Sequence, residues 1–208
     1  MTARTGRLIA LEGGEGVGKS TQLTALAEAL RARGINVVTT REPGGSEGAE
    51  MIRGLLLDGP EERWCARAEA LLFAAARTDH VDKVIRPAVH AGKWVISDRF
   101  IDSSLAYQGG AGGLGIEAVR AINAFGMREW FPDRTLVLTL PEGAERARAR
   151  DGERADRIGA RPNAYHAAVD AAFRRIAEAE PERVRLVDAS GSLEEVTQRL
   201  LAELADLL

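Results

Sequence analysis

A single cysteine, Cys65, excludes an internal disulfide, and no apolar run approaches the ~18 residues that a membrane-crossing helix needs. Nor is there a field of one charge sign. Lys and Arg number 28 against 31 Asp and Glu, a net charge of −3, which argues against nucleic acid as the main partner. The opening MTARTGRLIAL has too short an apolar stretch for a signal peptide, and no internal repeat is found. These absences lead to the expectation of a soluble, cytoplasmic protein with no nucleic-acid or membrane partner. What is present is ordinary for a globular chain: 208 residues, 45% hydrophobic and 28% charged. That length holds one buried core and is short for two, so a single domain over 1–208 is expected.

The densest signal is LIALEGGEGVGKS, residues 8 to 20. Leu8 to Leu11 suits a buried strand and Thr21 to Leu30 a helix, and between them Gly13, Gly18, Lys19 and Ser20 complete G-x-x-x-x-G-K-[ST]. Glycines let successive N–H groups turn into one concavity at a positive helix end, which suits phosphate oxygens. Gly13, Gly14, Glu15, Gly16, Val17, Gly18, Lys19, Ser20 and Thr21 are therefore the expected ATP-phosphate site. Lys19 would reach the β- and γ-phosphates, and the Ser20 hydroxyl would help hold Mg2+.

Further along, Ile35 to Thr40 reads as a second strand, followed by the turn Arg41-Glu42-Pro43-Gly44-Gly45, placed where α/β sheets present ligand loops. Helices are expected over 46–58 and 66–91. On the second, Phe73 and Arg77 share a face, either as a flat ring beside a donor fork for a base or as a core ring with a snorkelling arginine. Trp94 to Ser97 is a third strand that runs into Asp98-Arg99. Either the acid organises Mg2+ or its waters and the arginine clamps a phosphate, or the two form a surface ion pair. Gly110 to Gly115 matches G-x-G-x-x-G formally, but no strand precedes it, so a mobile loop is expected. Leu136 to Leu140 and Arg183 to Val187 are the fourth and fifth strands, with helices over 142–150, 163–179 and 193–207. The arginine-dense stretch at about 150–162 reads as a mobile lid or a solvated loop. Alternation of strand and helix implies a three-layer α/β/α fold around a five-stranded parallel sheet.

Asp98-Arg99-Phe100-Ile101-Asp102-Ser103-Ser104-Leu105-Ala106-Tyr107-Gln108 resembles the signature D-R-Y-x-x-S-x-x-A-Y-Q of the thymidylate kinases, within the P-loop nucleoside-monophosphate kinases. Phe100 stands at the usual Tyr or His position. The Arg41 to Gly45 turn, Ile52-Arg53, and Phe73 to Arg77 with His80 match in family order. The resemblance implies that ATP phosphorylates dTMP with Mg2+ as cofactor. It places Phe73 and Arg77 on the thymine, Arg53 and Arg99 on the 5′-phosphate, and Glu15 by the 3′-hydroxyl and the magnesium waters. Glu42, Pro43, Ser103, Ser104, Tyr107 and Gln108 would line the rest of the acceptor site, with Tyr107 favouring deoxyribose. Ser20 and Asp98 would hold the metal, and Lys19, Arg99, Glu15 and a lid arginine would be catalytic. The phosphate loop has no arginine, so the lid should supply it. Arg157 aligns best through Asp156-Arg157-Ile158, with Arg154 as the other candidate, although Gly159 and Ala168 depart from the family pattern. A homodimer, and a sheet with the third strand between the first and second, rest on the resemblance alone. A GTP-binding switch is disfavoured because no N-K-x-D motif occurs.

Overall fold

The computed structural model describes residues 6–128, 130–140 and 156–208. Five parallel strands form one sheet: β1 (Leu8–Gly13), β2 (Val37–Arg41), β3 (Trp94–Asp98), β4 (Arg134–Thr139) and β5 (Val184–Asp188), in the order β2-β3-β1-β4-β5. The third strand lies between the first and second, as the resemblance implies. β1 is central and buried throughout, which is why its sequence is an apolar run rather than an alternation. Its side chains still take sides by the two-residue period. Leu8 and Ala10 join one core with Val95, Val137 and Phe173, while Ile9 and Leu11 join another with Leu26, Ile96, Leu138 and Leu200. A sheet covered on both faces follows.

The helices are α1 (Lys19–Ala32), α2 (Glu47–Leu57), α3 (Ala66–His80), α4 (Arg86–His90), α5 (Ile101–Ser104), α6 (Ile116–Met127), α7 (Asn163–Ala179) and α8 (Leu193–Ala202). Ser46 caps α2 by accepting from the Ala49 N–H, and Ser192 with Glu195 forms a capping box on α8. The helix expected over 66–91 is helical almost to its end but widens into a π-turn at Val81–Ile85. Pro87 explains this, since it has no N–H and its ring crowds the preceding turn. The expected helix over 142–150 lies outside the described residues.

The glycine run is divided: residues 112–115 form an irregular turn before α6, but Gly110 and Ala111 are helical. Leu105–Ala111 continues α5 as a π-helical segment, and Gly110 meets α7 so closely that a Cβ would stand 2.6 Å from that of Ala172. A helix, not a strand, precedes these glycines, so the fingerprint match has no dinucleotide-binding context.

Candidate active site

β1 delivers the chain to the phosphate loop through Gly13, whose φ of 135° and approach to β4 admit no side chain: a Cβ would lie 2.5 Å from the Leu138 carbonyl oxygen. Lys19, at the start of α1, turns back over the loop and donates from Nζ to the carbonyls of Gly13 at 3.2 Å and Gly14 at 2.6 Å. Burial, and then the nearby Arg99, lower its pKa to about 8.

Because β3 is the neighbour of β1, with Leu11 in register with Asp98, the Asp98-Arg99 pair emerges beside the loop. Ser20 Oγ donates to Asp98 Oδ2 at 2.9 Å. Arg99 has a left-handed backbone, φ 68°, held by its N–H on Leu11 O at 2.9 Å and by Ser97 Oγ on its carbonyl at 2.7 Å. Its guanidinium donates to Gly13 O at 3.2 Å and Ser103 Oγ at 3.1 Å, and it pairs with Glu15. The Tyr107 hydroxyl donates to the same Glu15 oxygen at 3.2 Å. Burial pushes the Glu15 pKa up, but Arg99 and Lys19 outweigh it and hold the carboxyl below its ordinary value.

Sequence reasoning missed Glu12. It is fully buried, and its carboxylate caps α5 from a distance, accepting from Phe100 N at 2.8 Å, Ser103 N at 3.0 Å and Ser103 Oγ at 2.6 Å. Burial and then Asp102 push its pKa up to about 7, against the pull of Arg99. The available signal was an acid at the end of an apolar strand, one residue before the first motif glycine.

At the other end, Phe73 and Arg77 share a face of α3. Arg77 does not snorkel: it is 2% exposed and donates to Glu42 Oε2 at 2.7 Å, Phe100 O at 3.0 Å and Asn123 Oδ1. Three of its five N–H groups are used, so two remain for a ligand. Glu42 also pairs with His80 Nδ1 at 3.0 Å, while His80 Nε2 meets Thr40 Oγ1 at 2.7 Å. The Glu42–Pro43 peptide is cis, and the Pro43 carbonyl accepts from Arg53 at 2.7 Å. Asn123 on α6 is a second residue that no motif revealed.

One cleft of about 590 Å³ joins these parts. Its walls include Glu15, Gly16, Gly18, Lys19, Ser20, Thr21 and Asp98 from the phosphate side, and Glu42, Pro43, Arg53, Phe73 and Arg77 from the other. Arg99, Ser103, Ser104, Tyr107 and Gln108 line it too, whereas Gly13, Gly14 and Val17 border a smaller recess beside Thr139 and His166.

Arg157 is the exception. It is 5% exposed and is held by Leu56 O at 2.7 Å, Glu61 O at 3.1 Å and Glu69 Oε2 at 2.6 Å. Ile158 beside it is buried in the core, so residues 156–162 are anchored against α2 and α3, and the guanidinium expected to reach ATP is instead part of that anchor. Arg154 lies outside the described residues.

Ser20 and Asp98 suit Mg2+, being hard oxygen donors 2.9 Å apart. No cluster of three or more His, Cys, Asp or Glu that could hold a metal occurs among the described residues. A metal here would therefore complete its shell with water and phosphate oxygens, as Mg2+ commonly does.

A phosphate loop facing an aromatic-and-arginine acceptor site across one cleft defines a P-loop nucleoside-monophosphate kinase. The family model described as thymidylate kinase matches residues 11–200. The thymidylate kinase of Rhizorhabdus wittichii is 60% identical over 98% of this chain and 99% of its own, and that of Symbiobacterium thermophilum is 50% identical over 90% and 87%. A crystal structure of thymidylate kinase from Ehrlichia chaffeensis superposes with a TM-score of 0.75 at 31% identity, covering 96% of this chain and 98% of that one. The chain belongs to the thymidylate kinase family.

Proposed function

We propose that the protein transfers the γ-phosphoryl group of ATP to dTMP, giving dTDP and ADP, with Mg2+ as cofactor. The observation that carries this reading is the shared cleft, which sets Lys19 and Arg99 against Phe73 and Arg77. The phosphate of dTMP is largely a dianion near neutral pH and already nucleophilic, so positioning and charge neutralisation suffice without a strong general base. Lys19 gathers the donor phosphates. Arg99 and Arg53 hold the acceptor phosphate, with Arg99 fixed by Ser103 and Glu15 so that little reorganisation is needed as charge shifts. Ser20 and Asp98 would hold Mg2+, which would supply further neutralisation. Phe73 stacks on thymine, Arg77 donates to a base carbonyl with its remaining N–H groups, and Tyr107 fills the space beside the sugar. In this reading the whole chain is one kinase domain, residues at about 150–162 act as a lid anchored through Arg157, and Arg154 supplies the arginine that the loop lacks.

A homodimer is supported by apolar side chains left exposed on three adjacent helices: Met51 and Leu55 on α2, Leu71 on α3, and Phe125, 93% exposed, on α6. Phe125→Glu is expected to convert the dimer to monomer in sedimentation velocity. No helix among the described residues is long and apolar enough to cross a membrane, in keeping with a cytoplasmic enzyme. The test of function is ADP release measured across a panel of nucleoside monophosphates, with dTMP expected to lead. Equal turnover of purine monophosphates would refute the acceptor assignment.

A further inference from the structure

Glu69, on the first turn of α3, belongs to no motif, yet it is 2% exposed and central to a buried cluster. Its Oε2 accepts from Arg157 at 2.6 Å and Arg161 at 2.7 Å, and its Oε1 accepts from Gln108 Nε2 at 3.0 Å. Arg161 is in turn braced by Tyr165, whose ring lies 4.6 Å from its guanidinium and whose hydroxyl donates to Tyr107 O at 2.9 Å. Glu69 accepts from two guanidinium groups and an amide, so both of its oxygens are engaged as acceptors. The amide nitrogen of Gln108 must therefore face Glu69, which turns its carbonyl oxygen away from Glu69, and none of the hydrogen bonds among the described residues is made to that oxygen.

Gln108 lines the same cleft as Phe73, Arg77 and Ser104. The Ser104 hydroxyl, one turn earlier, is buried without a partner, but it can donate or accept and so imposes no polarity. The cleft thus offers fixed donors from Arg77 and a fixed acceptor from Gln108. This pair matches a pyrimidine with a carbonyl at ring position 4 and an N–H at position 3. Cytosine presents the reverse pattern and would meet donor with donor and acceptor with lone pair.

We infer that Glu69 is a positioning residue that locks the Gln108 amide, with its oxygen toward the base, and thereby selects N3–H pyrimidines over cytosine. The inference rests on the thymidylate reading and deepens it. Glu69→Gln keeps the volume but can donate or accept, so the Gln108 amide becomes free to turn over. The expected result is that kcat/KM for dTMP relative to dCMP falls at least tenfold, while the ratio of dTMP to dUMP, which share the imide edge, stays within twofold. A merely structural role would lower all three together, and an unchanged dTMP to dCMP ratio in a folded Glu69→Gln overturns the inference. Should that variant fail to fold, Gln108→Met decides: loss of the same preference supports the inference, and its retention overturns it. Wild-type protein that phosphorylates neither dTMP nor dUMP would refute the thymidylate reading itself, since both variants are judged by ratios to wild type.

Discussion

The two ends of the cleft hold their charges by different means. At the phosphate end the cations lean on backbone: Lys19 rests on loop carbonyls, and Arg99, though it also pairs with the partly exposed Glu15, donates to one of the same carbonyls from a left-handed turn. At the base end Arg53 rests on the Pro43 carbonyl, but the other cations are locked to buried acids, Arg77 to Glu42, and Arg157 and Arg161 to Glu69. The first arrangement leaves charge free to be claimed by a ligand at little cost to the fold. The second ties recognition to stability, because removing one partner strands a buried charge.

The sharpest way to break this comparison is Lys19→Ala. Turnover is expected to fall by at least about a thousandfold, comparable with losing a preorganised electrostatic donor, while the melting temperature stays within a few degrees. Steady-state kinetics beside thermal melting check both halves, and near-normal turnover would remove the phosphate-loop assignment.

The arginines around the lid sharpen it next. Arg157→Ala should destabilise the fold by about 3 kcal/mol or more, since Glu69 and two carbonyls lose a donor. Arg154→Ala should instead lower kcat by about a hundredfold with melting and the dTMP KM unchanged. The opposite pattern, with Arg157→Ala stable and low in kcat, would return the catalytic role to Arg157.

Glu12 carries the comparison into pH. Its pKa near 7 is raised above the ordinary value of 4.5, so between those values the folded state holds a proton that the unfolded state has released. Its contribution is therefore complete below about pH 4.5 and is lost as pH rises toward 7, by roughly 3 kcal/mol for a shift of this size. Glu12→Gln should flatten that fall, as measured by urea unfolding at pH 5 and 7.5. Parallel curves for variant and wild type would contradict it.

Arg77→Ala should show the smallest change in substrate handling. About 1 to 3 kcal/mol, or roughly ten- to a hundredfold, is expected in dTMP affinity, with ATP affinity unchanged. Isothermal titration with each nucleotide separates the two, and an equal loss for both would count against Arg77 as a base ligand.

How legible each end was in the sequence follows from the same difference. The phosphate loop and Asp98-Arg99 are contiguous strings whose function depends on a local strand-to-helix turn, and both were placed correctly at the carboxyl ends of β1 and β3. All five strands were also readable, because their apolar runs are dense. Glu12, Glu69 and Asn123 were not, since their partners lie 88, 39 and 46 residues away. Spacing within a helix or loop says nothing of such pairs. Arg157 shows the complementary limit: its register was clear, but register does not reveal that Leu56, Glu61 and Glu69 surround its guanidinium. The loop expected over Gly110 to Gly115 starts later than read: Gly110 still belongs to the helical segment, where its missing side chain lets α7 approach.

That last feature limits which sequences the fold accepts. With only 2.6 Å between a Cβ at position 110 and that of Ala172, the segment carrying Tyr107 and Gln108 meets α7 with no slack. In a library randomised at 110 and 172 and selected for growth on kinase activity, alanine at 172 should be recovered only with glycine at 110, and alanine at 110 only with glycine at 172. The two positions would thus vary as one unit, and larger residues at 172 could not be recovered by any choice at 110.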